Sequence, residues 1–294
     1  MIGEGLGHVD VPPEAWIGSG RATVVLTFGV DAETILLLID SKYAGHTSTL
    51  SHQAYGLRVG LPRILEALER HEVPGTFWVP GMIAEKHPEA IASILEAGQE
   101  VAAHGYAHKS PVDLTVEEQE EEFVAGLEAL SAIGAQPCGF RAPSVSATPF
   151  TLGLVARHGL SYDSSLMDAD RPYMQDTPAG SFVEIPTSWC LDDWEQYAFL
   201  PDPDVGSHIE LPRKVLDLWS GELDAMRSTQ SLCVVTCHPE LSGRPSRLRV
   251  LEEFIEFARG CGDVEFADCR TIATSVSAHH AGSGCPGSSG GSVS

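Results

Sequence analysis

Short runs of β-branched and apolar residues alternate along this chain with stretches whose apolar residues recur every three or four positions, and this alternation limits the fold more than any other feature. "RATVVLTFGV" is the first such run, and "GLPRILEALERHEV" follows with Leu61, Ile64, Leu65 and Leu68 on one helical face. "PGTFWVPG", "EVAAHG", "CGFRAP", "LSYDSS", "SFVEIPTSW", "SLCVVTCHP" and "DVEFAD" continue the strand series. Between them, "HPEAIASILEAG", "TVEEQEEEFVAGLEALSAIG", "TPFTLGLVARHG", "LPRKVLDLWSGELDAMRS" and "SRLRVLEEFIEFARG" have helical spacing. Seven or eight strands separated by helices predict an α/β fold with a parallel β/α barrel. A doubly wound open sheet is the alternative, but no GxGxxG or GxxxxGK[ST] follows a strand.

The expected organisation is an N-terminal extension over 1–20, one barrel over 21–275 and a Gly/Ser-rich tail over 276–294 that is predicted to be disordered. Residues Asp40 to Tyr55 form a long polar insert, read as a loop that closes over a site, with His46 and His52 in it. Cys233 and Cys237 share a parity within one strand and are expected to face one packed layer.

With 41 acidic and 18 basic residues the formal charge is -23, which argues against nucleic acid and anionic lipid surfaces as partners. No run reaches the roughly 18 apolar residues that would span a bilayer. The seven cysteines lack a CxxC pair, as expected of reduced thiols. These features predict a soluble, cytoplasmic protein.

In a parallel sheet covered by helices, polar side chains gather where the strands end. The first strand ends near Asp31 and Glu33, the third at His104 and His108, and the fourth at Arg141. The strand within "EIPTSW" ends near Asp192, Asp193 and Trp194, and a late strand ends at His238. Two His at i and i+4 with a carboxylate make a three-ligand set for Zn, Co, Ni, Mn or Fe that leaves positions open. A chain with 12 His also produces such a pair by chance, so the strand-end position carries the argument. His238 is a candidate general acid, since imidazole titrates near neutral pH. Asp192 and Asp193 read equally as loop acids or catalytic groups, while Trp189, Trp194 and Tyr197 read as an aromatic wall or as packing.

Taken in order, "TFGVDAE", "HGYAH", "FRAPS", "VEIPTSWCLDD" and "CHPELSGRP" resemble the motifs of the polysaccharide deacetylase (NodB homology) superfamily over nearly the whole chain except its termini. Details such as "RVGLPRILEAL", "HGYAHKSP" and "HPELSGRP" are similar to its intracellular branch of peptidoglycan-deacetylase-like proteins, cyclic imide hydrolases and allantoinase relatives. The resemblance implies a deformed barrel of seven or eight strands. It also implies that Asp31, His104 and His108 hold a divalent metal, with Zn first in line, that Arg141 orients a polar group, and that His238 is the general acid. The implied reaction is hydrolysis of a non-peptide C–N bond in a small cyclic imide, ureide or N-acyl substrate, with water on the metal as nucleophile. Relatives of this branch also imply a homo-oligomer.

One position departs from the pattern. Gly29 stands where the family has the aspartate that acts as base. Strand parity puts Thr27, Gly29, Asp31 and Glu33 on one face, which predicts a gap beside Asp31 that could receive substrate. Glu33, Asp192 or Asp193 would then serve as base. A non-hydrolytic isomerase and a silent ligand-binding protein are the alternative readings.

Overall fold

The computed structural model describes residues 6–16, 18, 20–206 and 208–283. The chain contributes strands β1 (Gly7–Asp10), β2 (Ala22–Gly29), β3 (Gly75–Val79), β4 (Glu100–Ala103), β5 (Gly139–Phe140) and β6 (Tyr162–Asp163). They are followed by β7 (Tyr173–Thr177), β8 (Gly180–Glu184), β9 (Leu200–Pro201), β10 (Asp204–Val205), β11 (Leu232–Cys237) and β12 (Val264–Phe266).

Within the main sheet, β8, β6, β5, β4, β3, β2 and β11 lie side by side in that order and are all parallel. Short β12 runs parallel to the start of β2, and the antiparallel pair β7 and β1 extends the β8 edge. The two ends of the row meet at one seam, a parallel bridge from Asp192 beyond β8 to Thr236 on β11. The result is a deformed barrel whose seam, among the described residues, is held by one backbone bridge and by the contacts of Asp193 with His238.

Alternation along the strands separates two apolar layers. Val24, Leu26 and Phe28 of β2 face outward and pack under the helices with Leu61, Ile64, Leu65 and Leu68 of the helix Leu61–Arg70. Cys233 and Cys237 lie in this outer layer, as their shared parity predicts. Val25, Trp78, Ala102, Tyr162, Val183 and Val234 fill the inside of the curve. Each fully buried side chain of this size stabilises the fold by about 1.5–3 kcal/mol relative to exposure.

Three expectations need correction. The N-terminal stretch is part of the core, because β1 pairs with β7 and Val11, Ala15 and Trp16 join the inner layer. The helix Cys269–Ser283 runs into the predicted tail, since Ile272, Ala273 and Val276 bury one apolar face against that same layer; residues 284–294 lie outside the described residues. The insert is not a loop. Residues Ser41–Gly45 form a 3-10 turn, Thr47–Tyr55 an α-helix and Gly56–Gly60 a π-helical turn that leads into the helix Leu61–Arg70.

Candidate metal and acid–base site

Every strand-end residue singled out by the sequence follows the C-terminal end of a parallel strand, at the same end of the barrel. Asp31 follows β2, His104 and His108 follow β4, Arg141 follows β5, Asp192 and Asp193 lie beyond β8, and His238 follows β11.

His104 and His108 meet because the chain reverses between them. Gly105 takes φ +69, which glycine adopts freely, and His108 itself sits at φ +61. The two rings stand edge to face with centroids 4.9 Å apart. Asp31 Oδ1 lies 3.7 Å from His104 Nε2 and 3.6 Å from His108 Nε2. His104 Nδ1 donates to the Arg141 carbonyl at 2.7 Å, so its Nε2 lone pair faces Asp31. Burial pushes His104 down to about 3, with Asp31 opposing, so this imidazole is neutral. Burial alone would raise Asp31, but His108, His104, His238 and Arg141 outweigh it and lower its pKa.

Asp31 is 2% exposed, yet its Oδ1 has no hydrogen-bond partner. A buried carboxylate oxygen left without a partner is costly, and a cation between it and the two imidazoles would satisfy it. Donor atoms of Asp31, His104 and His108 all lie within 4.8 Å of one another, close enough to share one ion. These residues fit a divalent metal of the Zn type.

His238 faces this cluster, with Nε2 3.5 Å from Asp31 Oδ2. Its Nδ1 lies 2.7 Å from Asp193 Oδ1, and its backbone N–H donates to Asp193 Oδ2 at 2.9 Å. Asp193 Oδ2 also accepts from the Ser242 hydroxyl, which fixes the carboxylate in place. Burial disfavours the imidazolium, but Asp193, Asp192 and Asp31 outweigh it and raise the His238 pKa. Trp194 packs edge-on against the same ring at 5.4 Å.

Register explains why glycine occupies position 29. Thr27 pairs with Thr236 across β2 and β11, and two residues further along that face come Gly29 and His238. A Cβ at position 29 would lie 2.8 Å from both Cδ2 and Nε2 of His238 and 3.1 Å from Asp31 Oδ2. The space read from the sequence as a gap for substrate is therefore occupied by the His238 ring, although Gly29 still borders the cavity.

Arg141 is buried, and no carboxylate among the described residues is in direct contact with it. Its Nη1 donates to Thr27 Oγ1 at 3.2 Å and Thr236 Oγ1 at 3.0 Å, and its Nε and Nη2 donate to Ser164 O and Oγ. The guanidinium also stacks over Trp78, 4.5 Å from the ring centre. Arg141 thus ties β2, β5 and β11 together beneath the cluster, and it opens on the cavity.

A cavity of about 320 Å³ lies above these groups. Its polar side includes Asp192, whose carboxyl burial pushes up to about 6, and exposed Glu195. Its apolar wall includes Ile35, Leu38 and Ile39 from the helix Thr34–Ile39, together with Val145, Trp189 and Trp194. Ser144 and Val145 hold positive φ at this wall, a strained conformation for a β-branched residue.

Several candidates fall elsewhere. The chain turns at Glu33 to begin the helix Thr34–Ile39, so Glu33 leaves the face it was predicted to share. Its carboxylate points to His87, 3.1 Å away, and to Lys86, and it does not border the cavity. Tyr197 is buried beneath Arg247 and is core packing. Neither His46 nor His52 lines the cavity; the short helix Thr34–Ile39 covers it instead. That helix and Ser242 went unread in the sequence, where "TILLLI" resembles any apolar run.

A family model described as polysaccharide deacetylase matches residues 31–162. The peptidoglycan deacetylase of Helicobacter pylori is 28% identical over 262 residues, covering 79% of this chain and 89% of that protein. A Mycobacterium smegmatis crystal structure described as a polysaccharide deacetylase is 44% identical and superposes with a TM-score of 0.89, over 93% of this chain and 96% of the other. An allantoinase structure, 24% identical, has the same fold with a TM-score of 0.80, over 92% of this chain and 95% of the other.

Proposed function

The chain belongs to the polysaccharide deacetylase family of hydrolases, and we propose that it is a metal-dependent hydrolase of a non-peptide C–N bond in a small cyclic imide, ureide or N-acyl compound. The observation that carries this reading is the buried Asp31, His104 and His108 cluster facing the His238–Asp193 pair across one cavity. When bound, a divalent ion at the cluster supplies Lewis acidity and lowers the pKa of water.

The chain's own groups supply the proton transfers. His238, held protonated by Asp193, donates to the departing nitrogen through Nε2. Asp193 is fully buried and locked by His238 and Ser242, so it orients the imidazole and does not act as a base. Asp192 opens on the cavity and is raised toward neutrality, which suits it to accept a proton. Arg141 and Trp78 give that end of the cavity a fixed polar floor.

Supporting a compact substrate, the cavity is walled by Ile35, Leu38, Ile39 and Trp189 rather than by an open polar groove. The names of its relatives, a peptidoglycan deacetylase and an allantoinase, frame the choice between N-acyl and ring substrates. A cytoplasmic setting and self-association belong to the same proposal. The test is a screen of cyclic imides, ureides and N-acyl amino sugars on metal-loaded protein, read by mass spectrometry. A product heavier by one water from an imide or ureide, or a free amine from an N-acyl sugar, is the expected result. Isomerisation without a mass change, or binding with no turnover across all three classes, would overturn it.

A further inference from the structure

Behind the turn that carries His238, three arginines gather in a chain otherwise dominated by acidic residues. The hydroxyl of Tyr55 accepts from Arg63 Nη1 at 2.8 Å, and the face of the same ring lies 3.8 Å from Arg244 Cζ. Arg247, one helical turn beyond Arg244, lies over Tyr197 at 4.4 Å and is close enough to Arg244 for the two cations to repel. All three are partly buried, and among the described residues none has a carboxylate oxygen within 4.0 Å. Arg63 Nη1 donates to the Tyr55 hydroxyl and the Gly243 carbonyl, and Arg244 Nε donates to the Glu240 carbonyl, so these bonds use one nitrogen of each guanidinium.

The nearby acids do not neutralise this cluster. Asp193 attracts Arg247 through space, but its oxygens are taken by His238 and Ser242. The Glu240 side chain, 1% exposed, is raised by burial to about 8 and feels His238, Asp31 and Asp193. His52 lies within range of both Arg244 and Arg247, and its buried Nδ1 has no hydrogen-bond partner. The π-helical turn Gly56–Gly60, a device frequent at functional sites, joins the segment carrying His52 and Tyr55 to the helix carrying Arg63.

Partly desolvated cations that repel one another are costly unless an anion joins them, and guanidinium forks on aromatic rings suit an oxyanion. We propose that Arg63, Arg244 and Arg247, with His52, form a binding site for a phosphate or carboxylate group, separate from the metal and acid–base site. None of these residues borders the catalytic cavity, so the proposal stands whether or not the reaction proposed above is correct.

The test is isothermal titration of the full-length protein with inorganic phosphate and, separately, with succinate, in chloride buffers of equal ionic strength. The expected result is saturable binding with one site per chain, weakened at least about tenfold by R244Q or R247Q. R249Q is the control, because Arg249 lies two residues from Arg247 and so points away from the cluster. It should bind as the unaltered protein does. Tighter binding of phosphate identifies a phosphoryl ligand, and tighter binding of succinate identifies a carboxylate. A second readout needs no variant: an unaltered protein at saturating anion should melt about 5 °C higher than in chloride alone. Absence of both the heat and the melting shift with both anions, or binding that folded R244Q and R247Q leave unchanged, would overturn the proposal.

Discussion

The imidazole of His238 stands over Gly29, so close that any side chain at position 29 would collide with its Nε2 edge. Adjacent β2 and β11 direct both residues to the same face, and the glycine leaves room for His238 to reach within 3.5 Å of Asp31.

Gly29→Ala is therefore expected to displace His238. Overpacking of this kind costs about 1–3 kcal/mol in stability, and a shift of about 1 Å in His238, the proposed acid, is expected to lower kcat at least about tenfold. Gly29→Asp should fare no better, in contrast to a simple loss of a base that an aspartate would repair. Thermal melting, steady-state kinetics and a crystal structure of each variant check this. Full activity with His238 unmoved would show that the contact is unimportant.

Asp193→Asn removes the charge that keeps His238 protonated. A fall in kcat of about 10²–10⁴ is expected, along with a lowered imidazole pKa measured by ¹⁵N NMR. The stability effect has a definite sign. Because the folded pKa of His238 is raised above its unfolded value of about 6.5, the stabilisation is fully present below that pH and is lost as pH rises through the folded value. Urea melts should show the gap between unaltered protein and variant narrowing as pH increases.

Glu33→Gln and Asp192→Asn separate two carboxylates that the sequence left equivalent. The first loses only partly exposed contacts to His87 and Lys86, so turnover should stay within about twofold and stability within about 1 kcal/mol. The second is expected to lower kcat by about 10²-fold or more while leaving the fold intact. Reversed outcomes would exchange the roles of the two residues.

Much of this arrangement was legible because strand ends in a β/α fold converge. Reading Asp31, His104, His108, Arg141 and His238 as strand-end residues was enough to predict that they share one rim. What the sequence could not supply was register. Whether Gly29 faced empty space or another side chain depended on how β11 lies against β2, two strands far apart in the chain. Glu33 was misplaced for a local reason: alternation holds only while the backbone stays extended, and the chain turns at Ala32, with φ +46. The insert reads as a loop in the sequence because its helix is largely polar, with Gln53 as its buried residue.

Metal content tests the central claim most directly. Protein reconstituted with Zn and freed of excess should hold one ion per chain by inductively coupled plasma mass spectrometry, and Asp31→Ala and His104→Ala should each lose most of it while remaining folded. No stoichiometric Zn, Co, Ni, Mn or Fe in the unaltered protein, or unchanged retention in both variants, would contradict the assignment of Asp31, His104 and His108 as the metal-binding set.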